Sequence, residues 1–108
     1  MSTHQFKAWQ QYNTENYIPW KREIALYEMG AVNYSQADIT RVIKIGRNIS
    51  EKLDEFMQAV PQTSDLYKYF LGVQSSLRTQ FESLEKLKSN IKTNNPFIVD
   101  TIRLTNYK

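Results

Sequence analysis

The sequence has no cysteine and a single histidine, His4, among its 108 residues. Without cysteine the chain forms no disulfide and offers no thiolate as a metal ligand or nucleophile. His4 stands near the start of the chain, where side chains are rarely held in a fixed geometry. We therefore expect a protein that is not an enzyme and that binds no cofactor and no metal.

Glycine is also scarce, and the three glycines are isolated, so no glycine-rich loop is present to cradle a phosphate group. No apolar run approaches the length of a membrane span, and residues 1–7 lack the apolar run of a secretion signal. The lack of cysteine fits a reducing compartment. We expect a cytoplasmic protein without a membrane span, or one secreted by a route that needs no signal.

The acidic residues of the sequence do not indicate a metal site either. Glu51, Asp54 and Glu55 cluster on the side of a predicted helix that faces away from its apolar residues. A metal site in a helical bundle requires inward-facing carboxylates and a Glu-x-x-His motif, which the sequence lacks. The cluster is therefore interpreted as a solvated helix face.

The clearest pattern in the chain is an apolar stripe over residues 35–60. Its steps alternate between three and four residues, which places its members on one face of an α-helix, and only Gly46 interrupts it. A glycine at this place is either a hinge or groove for a partner, or it is covered by an aromatic ring such as that of Trp9 or Trp20. The stripe consists of Ile39, Val42, Ile49, Leu53, Phe56 and Val60.

Local signals mark where this helix and the next one begin and end. Ser35 and Asp38 form a variant of the capping box, and Pro61 stops the helix, which is predicted from about 36 to about 59. Thr63 or Ser64 is predicted to cap the helix that follows.

A second apolar stripe follows and ends at the turn-forming residues 93–96. Two such helices joined by a short connection must lie antiparallel, and the seven-residue repeat favours coiled-coil packing. A long hairpin is therefore predicted over about 36–92. Gln80 either fixes the packing register or turns outward while Phe81 turns inward. The stripe consists of Leu66, Phe70, Val73, Leu77, Gln80, Leu84, Leu87 and Ile91.

The first third of the chain is rich in aromatic residues that share one helical phase up to a predicted stop at Gly30. Asn13 breaks the phase, and Pro19 removes a backbone donor. The segment is either one long helix kinked at Pro19 or two short helices, and the turn-forming residues 13–16 favour two. Its stripe consists of Phe6, Trp9, Tyr17, Trp20, Ile24, Tyr27 and Ala31.

These aromatic residues allow two interpretations. Trp9, Tyr12, Tyr17 and Trp20 either form an exposed patch that anchors a partner protein or belong to the core.

The last residues, 96–108, differ from the bundle predicted over 1–95. They are rich in β-branched residues without a helical stripe, which predicts an extended tail. A single strand finds no pairing partner within an all-helical domain, so the tail is expected to bind another protein by strand addition or by folding on it. Its candidate contact residues are Phe97, Val99, Ile102 and Leu104.

Nucleic acid is a less expected partner. The net charge is only +3, and its excess lies in the last third of the chain. The residues after Ser35 resemble the first helix of a helix-turn-helix motif, but the continuous repeat leaves no place for the turn. A nucleic-acid-binding regulator would use Arg41, Lys44, Arg47 and Asn48.

Together these patterns predict an all-α fold, an antiparallel three- or four-helix bundle with an extended C-terminal tail. The expected function is that of a small, basic, non-enzymatic protein-binding module, such as an adaptor, a chaperone, an inhibitor or an immunity-type factor. A nucleic-acid-binding regulator and a structural subunit of a homo-oligomeric assembly are the alternatives. The expected partner is another protein, with a homodimer as the second option.

Overall fold

The computed structural model describes residues 3–93, and this part of the chain is an all-α bundle. Helix α1 (Thr3–Tyr12) continues into a π-helical segment (Asn13–Tyr17) and then into α2 (Ile18–Glu28). The backbone is helical without a break from Thr3 to Glu28, and we call this continuous element the N-terminal helix. The predicted tail, residues 96–108, lies outside the described residues.

Two longer helices complete the bundle: α3 (Gln36–Gln58) and α4 (Asp65–Thr93). Trp9, near the start of the N-terminal helix, contacts Phe56 near the end of α3 and Phe70 near the start of α4. The N-terminal helix therefore runs antiparallel to α3 and parallel to α4, in up-down-up order. The prediction of an antiparallel helical bundle is confirmed, and the bundle has three helices in the described part of the chain. In residues 3–93 no helix is both long and apolar enough to span a bilayer.

The predicted starts of α3 and α4 and the predicted stop at Gly30 are confirmed. The Asp38 N–H donates to Ser35 Oγ at 3.2 Å, and the Ser35 N–H donates to the Asp38 carboxylate at 2.8 Å. Of the two predicted caps of α4, Ser64 is used: its hydroxyl accepts from the Tyr67 N–H at 3.1 Å. Gly30 ends α2 with a left-handed φ of 74°, as a helix-terminating glycine does.

Both predicted stripes of the hairpin face the core. All six apolar members on α3 and its C-terminal end are buried, as are five members on α4. Leu66, Gln80 and Ile91 are half-buried. Phe81 turns inward, with its ring centroid 5.7 Å from that of Trp20, as one of the two interpretations of this region predicted.

The π segment keeps the aromatic residues of the N-terminal helix on one face. Trp9 and Tyr17 are only 1% and 3% exposed, although eight residues separate them. Eight residues make about 2.2 turns of a regular α-helix, which would set Tyr17 about 80° around the helix axis from Trp9, at the edge of an apolar stripe. The Ile18 N–H instead donates to the Asn13 carbonyl, an i→i+5 bond that takes one more residue into the turn. The eight-residue step then closes two turns, and both rings enter the core.

The favoured prediction of two short helices is therefore wrong. The alternative of one long helix kinked at Pro19 is correct only in that the helix is continuous. The register changes before Pro19, within Asn13–Tyr17. Pro19 supplies no N–H to the preceding turn, so the regular ladder is already incomplete where the π segment forms. Two members of the predicted stripe lie outside the core: Phe6 is 41% exposed, and Ala31 follows the end of α2.

Candidate functional site

An open groove runs between the N-terminal helix and α4 beside the π segment, and we call it the π groove. Its volume is about 300 Å³. Because the N-terminal helix and α4 run parallel here, the groove follows the direction of both. Its lining residues are Asn13, Tyr17, Ile18 and Lys21 on the N-terminal helix, and Tyr69, Gly72, Val73 and Ser76 on α4.

Two hydrogen bonds join the N-terminal helix to α4 at this groove. The Trp9 indole donates to the Tyr69 hydroxyl at 3.0 Å, and the Tyr17 hydroxyl donates to Ser76 Oγ at 2.8 Å. Tyr69 and Ser76 are seven residues apart, which is about 10 Å along a helix. Gly72 lies between the two bridges, so the groove has fixed ends and a gap in the middle.

Gly72 leaves that gap open. A Cβ atom built on this residue would have no atom within 4 Å. A glycine inside a helix costs about 1 kcal/mol relative to alanine, and nothing at this position requires the smaller residue for packing. Tyr69, one turn before, is 46% exposed and forms an aromatic wall of the groove. The result is an accessible slot beside an exposed ring.

The only formal charge in the lining is positive. Lys21 Nζ lies 4.5 Å from the centroid of the Tyr17 ring, within the range of a cation–π interaction. Burial raises the pKa of the Tyr17 phenol above its ordinary value, and the hydrogen bond with Ser76 acts in the opposite direction. Tyr17 is therefore a neutral hydroxyl at physiological pH. None of the eight lining residues carries a carboxylate.

The structure places three of the four aromatic residues considered as a partner patch in the core. Trp9, Tyr17 and Trp20 are between 1% and 3% exposed, and Tyr12 is half-buried beside Phe56. These side chains pack with the core, so the first three do not form an exposed patch. Tyr17 alone of the four also lines the π groove.

The aromatic cover predicted over Gly46 is confirmed, and Trp20 provides it. A Cβ atom at Gly46 would lie 2.5 Å from Trp20 Cζ2 and 2.9 Å from two atoms of the Phe81 ring. Gly46 is buried and its space is occupied, so it provides no groove for the side chain of a partner.

A polar cluster ties α2 to α3 outside the groove. Arg41 forms an ion pair with Glu23 and lies 3.8 Å from the Asp38 carboxylate, and the Tyr27 hydroxyl donates to Glu23. The hydrogen bond from Arg41 holds the pKa of Glu23 below its ordinary value. Burial raises the pKa of Tyr27 to about 12, and Glu23 adds to this shift. Arg41 is therefore engaged within the protein.

The other residues of the nucleic-acid alternative, Lys44, Arg47 and Asn48, are exposed on α3. This helix is unbroken from Gln36 to Gln58, so no turn separates them from Arg41 as a helix-turn-helix motif would require.

Sequence reasoning did not identify the π groove. The indication in the sequence is Asn13, which interrupts the apolar stripe between Trp9 and Tyr17 at the place where the π segment takes one more residue into a turn. The side chains that it missed are Asn13, Ile18, Lys21, Tyr69 and Ser76, together with the opening at Gly72.

The part of the chain that the structure describes is therefore an all-α three-helix bundle with the open π groove between two of its helices. Comparisons with family models, with curated proteins and with solved structures found no match. Within residues 3–93, no group of three or more histidine, aspartate or glutamate side chains could hold a metal ion.

Proposed function

We propose that this protein is a non-enzymatic, cytoplasmic protein-binding module that takes an amphipathic helix of a partner protein into the π groove. Such a module would serve as an adaptor, a chaperone, an inhibitor or an immunity-type factor. The observation that carries the proposal is the open slot at Gly72 between the Trp9–Tyr69 and Tyr17–Ser76 hydrogen bonds.

The lining suits a helix of a partner. Ile18 provides a half-buried apolar side chain and Tyr69 an exposed ring, while the buried side chains of Tyr17 and Val73 also line the groove. Tyrosine is enriched at binding interfaces because its rigid ring gives a large contact area at a low entropic cost. The distance of about 10 Å between the two bridges corresponds to two turns of a docked helix, which would present apolar residues three or four positions apart.

The groove is formed before any partner arrives. Both hydrogen bonds anchor its walls to buried or half-buried parts of the bundle, and Trp9 and Tyr17 belong to the core. A partner would therefore meet walls that are already ordered, which lowers the entropic cost of binding.

The proposal is tested by filling the slot. A display library of amphipathic helical peptides is selected on the immobilised full chain, and the affinities of the recovered peptides are measured for the full chain and for Gly72→Leu. Thr40→Leu is the matched control, because Thr40 is exposed on α3 and does not line the groove. Circular dichroism verifies that each variant is folded.

We expect Gly72→Leu to weaken binding at least about tenfold, which corresponds to about 1.4 kcal/mol, while Thr40→Leu binds as the unchanged protein does. Failure to recover any binding peptide, or equal affinity for Gly72→Leu, would overturn the proposal. Sedimentation of the unchanged chain adds a second check. Self-association that disappears in Gly72→Leu would show that a second copy occupies the groove, which would also contradict it.

A further inference from the structure

The π groove offers several hydrogen-bond donors. The Tyr69 hydroxyl accepts from the Trp9 indole and keeps its own hydrogen. The pair formed by Tyr17 and Ser76 uses one hydroxyl hydrogen and keeps the other. Asn13 adds an amide that both donates and accepts. A ligand that carries acceptor groups can therefore bond to these hydrogens.

Lys21 adds a positive charge at one end of the groove. Its ammonium group lies over the Tyr17 ring, and the Tyr17 hydroxyl bonds to Ser76, so the cation stands at the Ser76 end. Within residues 3–93, Lys21 forms no ion pair with a carboxylate. Glu15 is exposed and accepts from the Gln11 amide at 3.3 Å, and Asp65 precedes Tyr69 by one helical turn, at the opposite end.

The slot at Gly72 and the positive charge at the Ser76 end are about one helical turn apart along α4. Ser76 follows Gly72 by four residues, which is about 6 Å along α4. Side chains at positions i and i+3 or i+4 of a docked helix are separated by nearly the same distance. One side chain of such a helix can therefore fill the slot at Gly72 while its neighbour on the next turn reaches Lys21 and Ser76.

We propose, on the basis of the proposed function, that the partner helix carries an aspartate or glutamate three or four residues from an apolar residue. The apolar side chain fills the slot at Gly72. The carboxylate accepts hydrogen bonds at the Ser76 end and forms an ion pair with Lys21.

The test uses one acidic peptide from the library selection and its Glu→Gln or Asp→Gln counterpart. Both are titrated against the full chain, Lys21→Gln and Lys21→Arg. Lys44→Gln is the matched control, because Lys44 is an exposed lysine on α3 away from the groove. Thermal unfolding of each variant shows whether the loss of the cation over Tyr17 changes the fold.

We expect acidic residues to be enriched in the recovered peptides at the stated spacing. Lys21→Gln should weaken the acidic peptide about tenfold and leave the amide counterpart within about twofold, whereas Lys21→Arg and Lys44→Gln retain binding. Added salt should weaken the acidic peptide more than its counterpart.

Recovered peptides without acidic residues would overturn the inference, as would equal binding by Lys21→Gln and the unchanged protein. If those peptides still lose affinity for Gly72→Leu, the proposed function stands without the carboxylate. If Gly72→Leu also binds normally, both proposals fail. Recovery of basic peptides that tighten on Lys21→Gln would reverse the sign of the charge and contradict the inference.

Discussion

Trp20 lies over Gly46 and fastens the N-terminal helix to the α3–α4 hairpin. Its indole N–H donates to the Val42 carbonyl at 2.7 Å, and its ring occupies the space where a Cβ atom of Gly46 would stand. In an α-helix that carbonyl also accepts the N–H of the residue four positions on, which is Gly46. The indole can reach this backbone group because the residue one turn later has no side chain.

Gly46→Ala is therefore expected to destabilise the protein. The new methyl group would lie 2.5 Å from Trp20 Cζ2, and this ring is 3% exposed and packs against the rings of Tyr17 and Phe81. Overpacking of a core lowers the free energy of unfolding by about 1–3 kcal/mol. The better helix propensity of alanine raises it by about 1 kcal/mol. We expect a net loss of up to about 2 kcal/mol in the free energy of unfolding, measured by urea denaturation.

Gly72→Ala, in α4, is expected to stabilise the protein. A Cβ atom here meets no atom within 4 Å, so only the gain in helix propensity remains. The free energy of unfolding should rise by about 1 kcal/mol in the same urea assay. If the two alanine variants shifted stability in the same direction, the assigned surroundings of one glycine would be incorrect.

Ser35→Ala removes the cap of α3. The Ser35 hydroxyl accepts from the Asp38 N–H, and this donor has no other partner at the helix start. We expect a loss of about 1 kcal/mol in the free energy of unfolding. Ser75→Ala is the control, because Ser75 is exposed within α4 and caps no helix. Equal stability of Ser35→Ala and the unchanged protein would contradict the capping role.

Tyr27 makes the fold sensitive to alkaline pH. Burial raises its pKa from 10.0 to about 12, so the folded protein holds this proton more tightly than the unfolded chain does. The contribution to stability is complete below pH 10.0 and disappears as pH rises to about 12. Tyr27→Phe should therefore lose less stability across this range, as measured by urea unfolding at successive pH values.

Tyr27→Phe will still lose some stability at alkaline pH, because burial also raises the pKa of Tyr12 and Tyr17. A variant with the same pH dependence as the unchanged protein would show that Tyr27 does not contribute.

The sequence predicted those parts of the fold that depend on regular periods and local capping. The seven-residue stripes of α3 and α4, the Ser35–Asp38 box and the stop at Gly30 all rest on neighbours within about four residues. The cover over Gly46 was also predictable, because a missing side chain on a buried stripe requires a large residue from elsewhere.

The π groove was not predictable by the same means. Asn13 was interpreted as a break in the stripe, whereas the π segment absorbs it as the additional residue of a wider turn. The groove also depends on how α4 rotates against the N-terminal helix, which brings Tyr69 and Ser76 opposite Trp9 and Tyr17. These are contacts across about 60 residues of sequence, and no local pattern specifies them.

The aromatic residues of the first third build the core, and Tyr17 among them also forms a wall of the groove. Acrylamide quenching of tryptophan fluorescence tests this burial directly, because the two tryptophans, Trp9 and Trp20, are 1% and 3% exposed. We expect a blue-shifted emission and quenching several-fold weaker in the native protein than in denaturant. Native quenching as strong as that of the unfolded chain would contradict this burial.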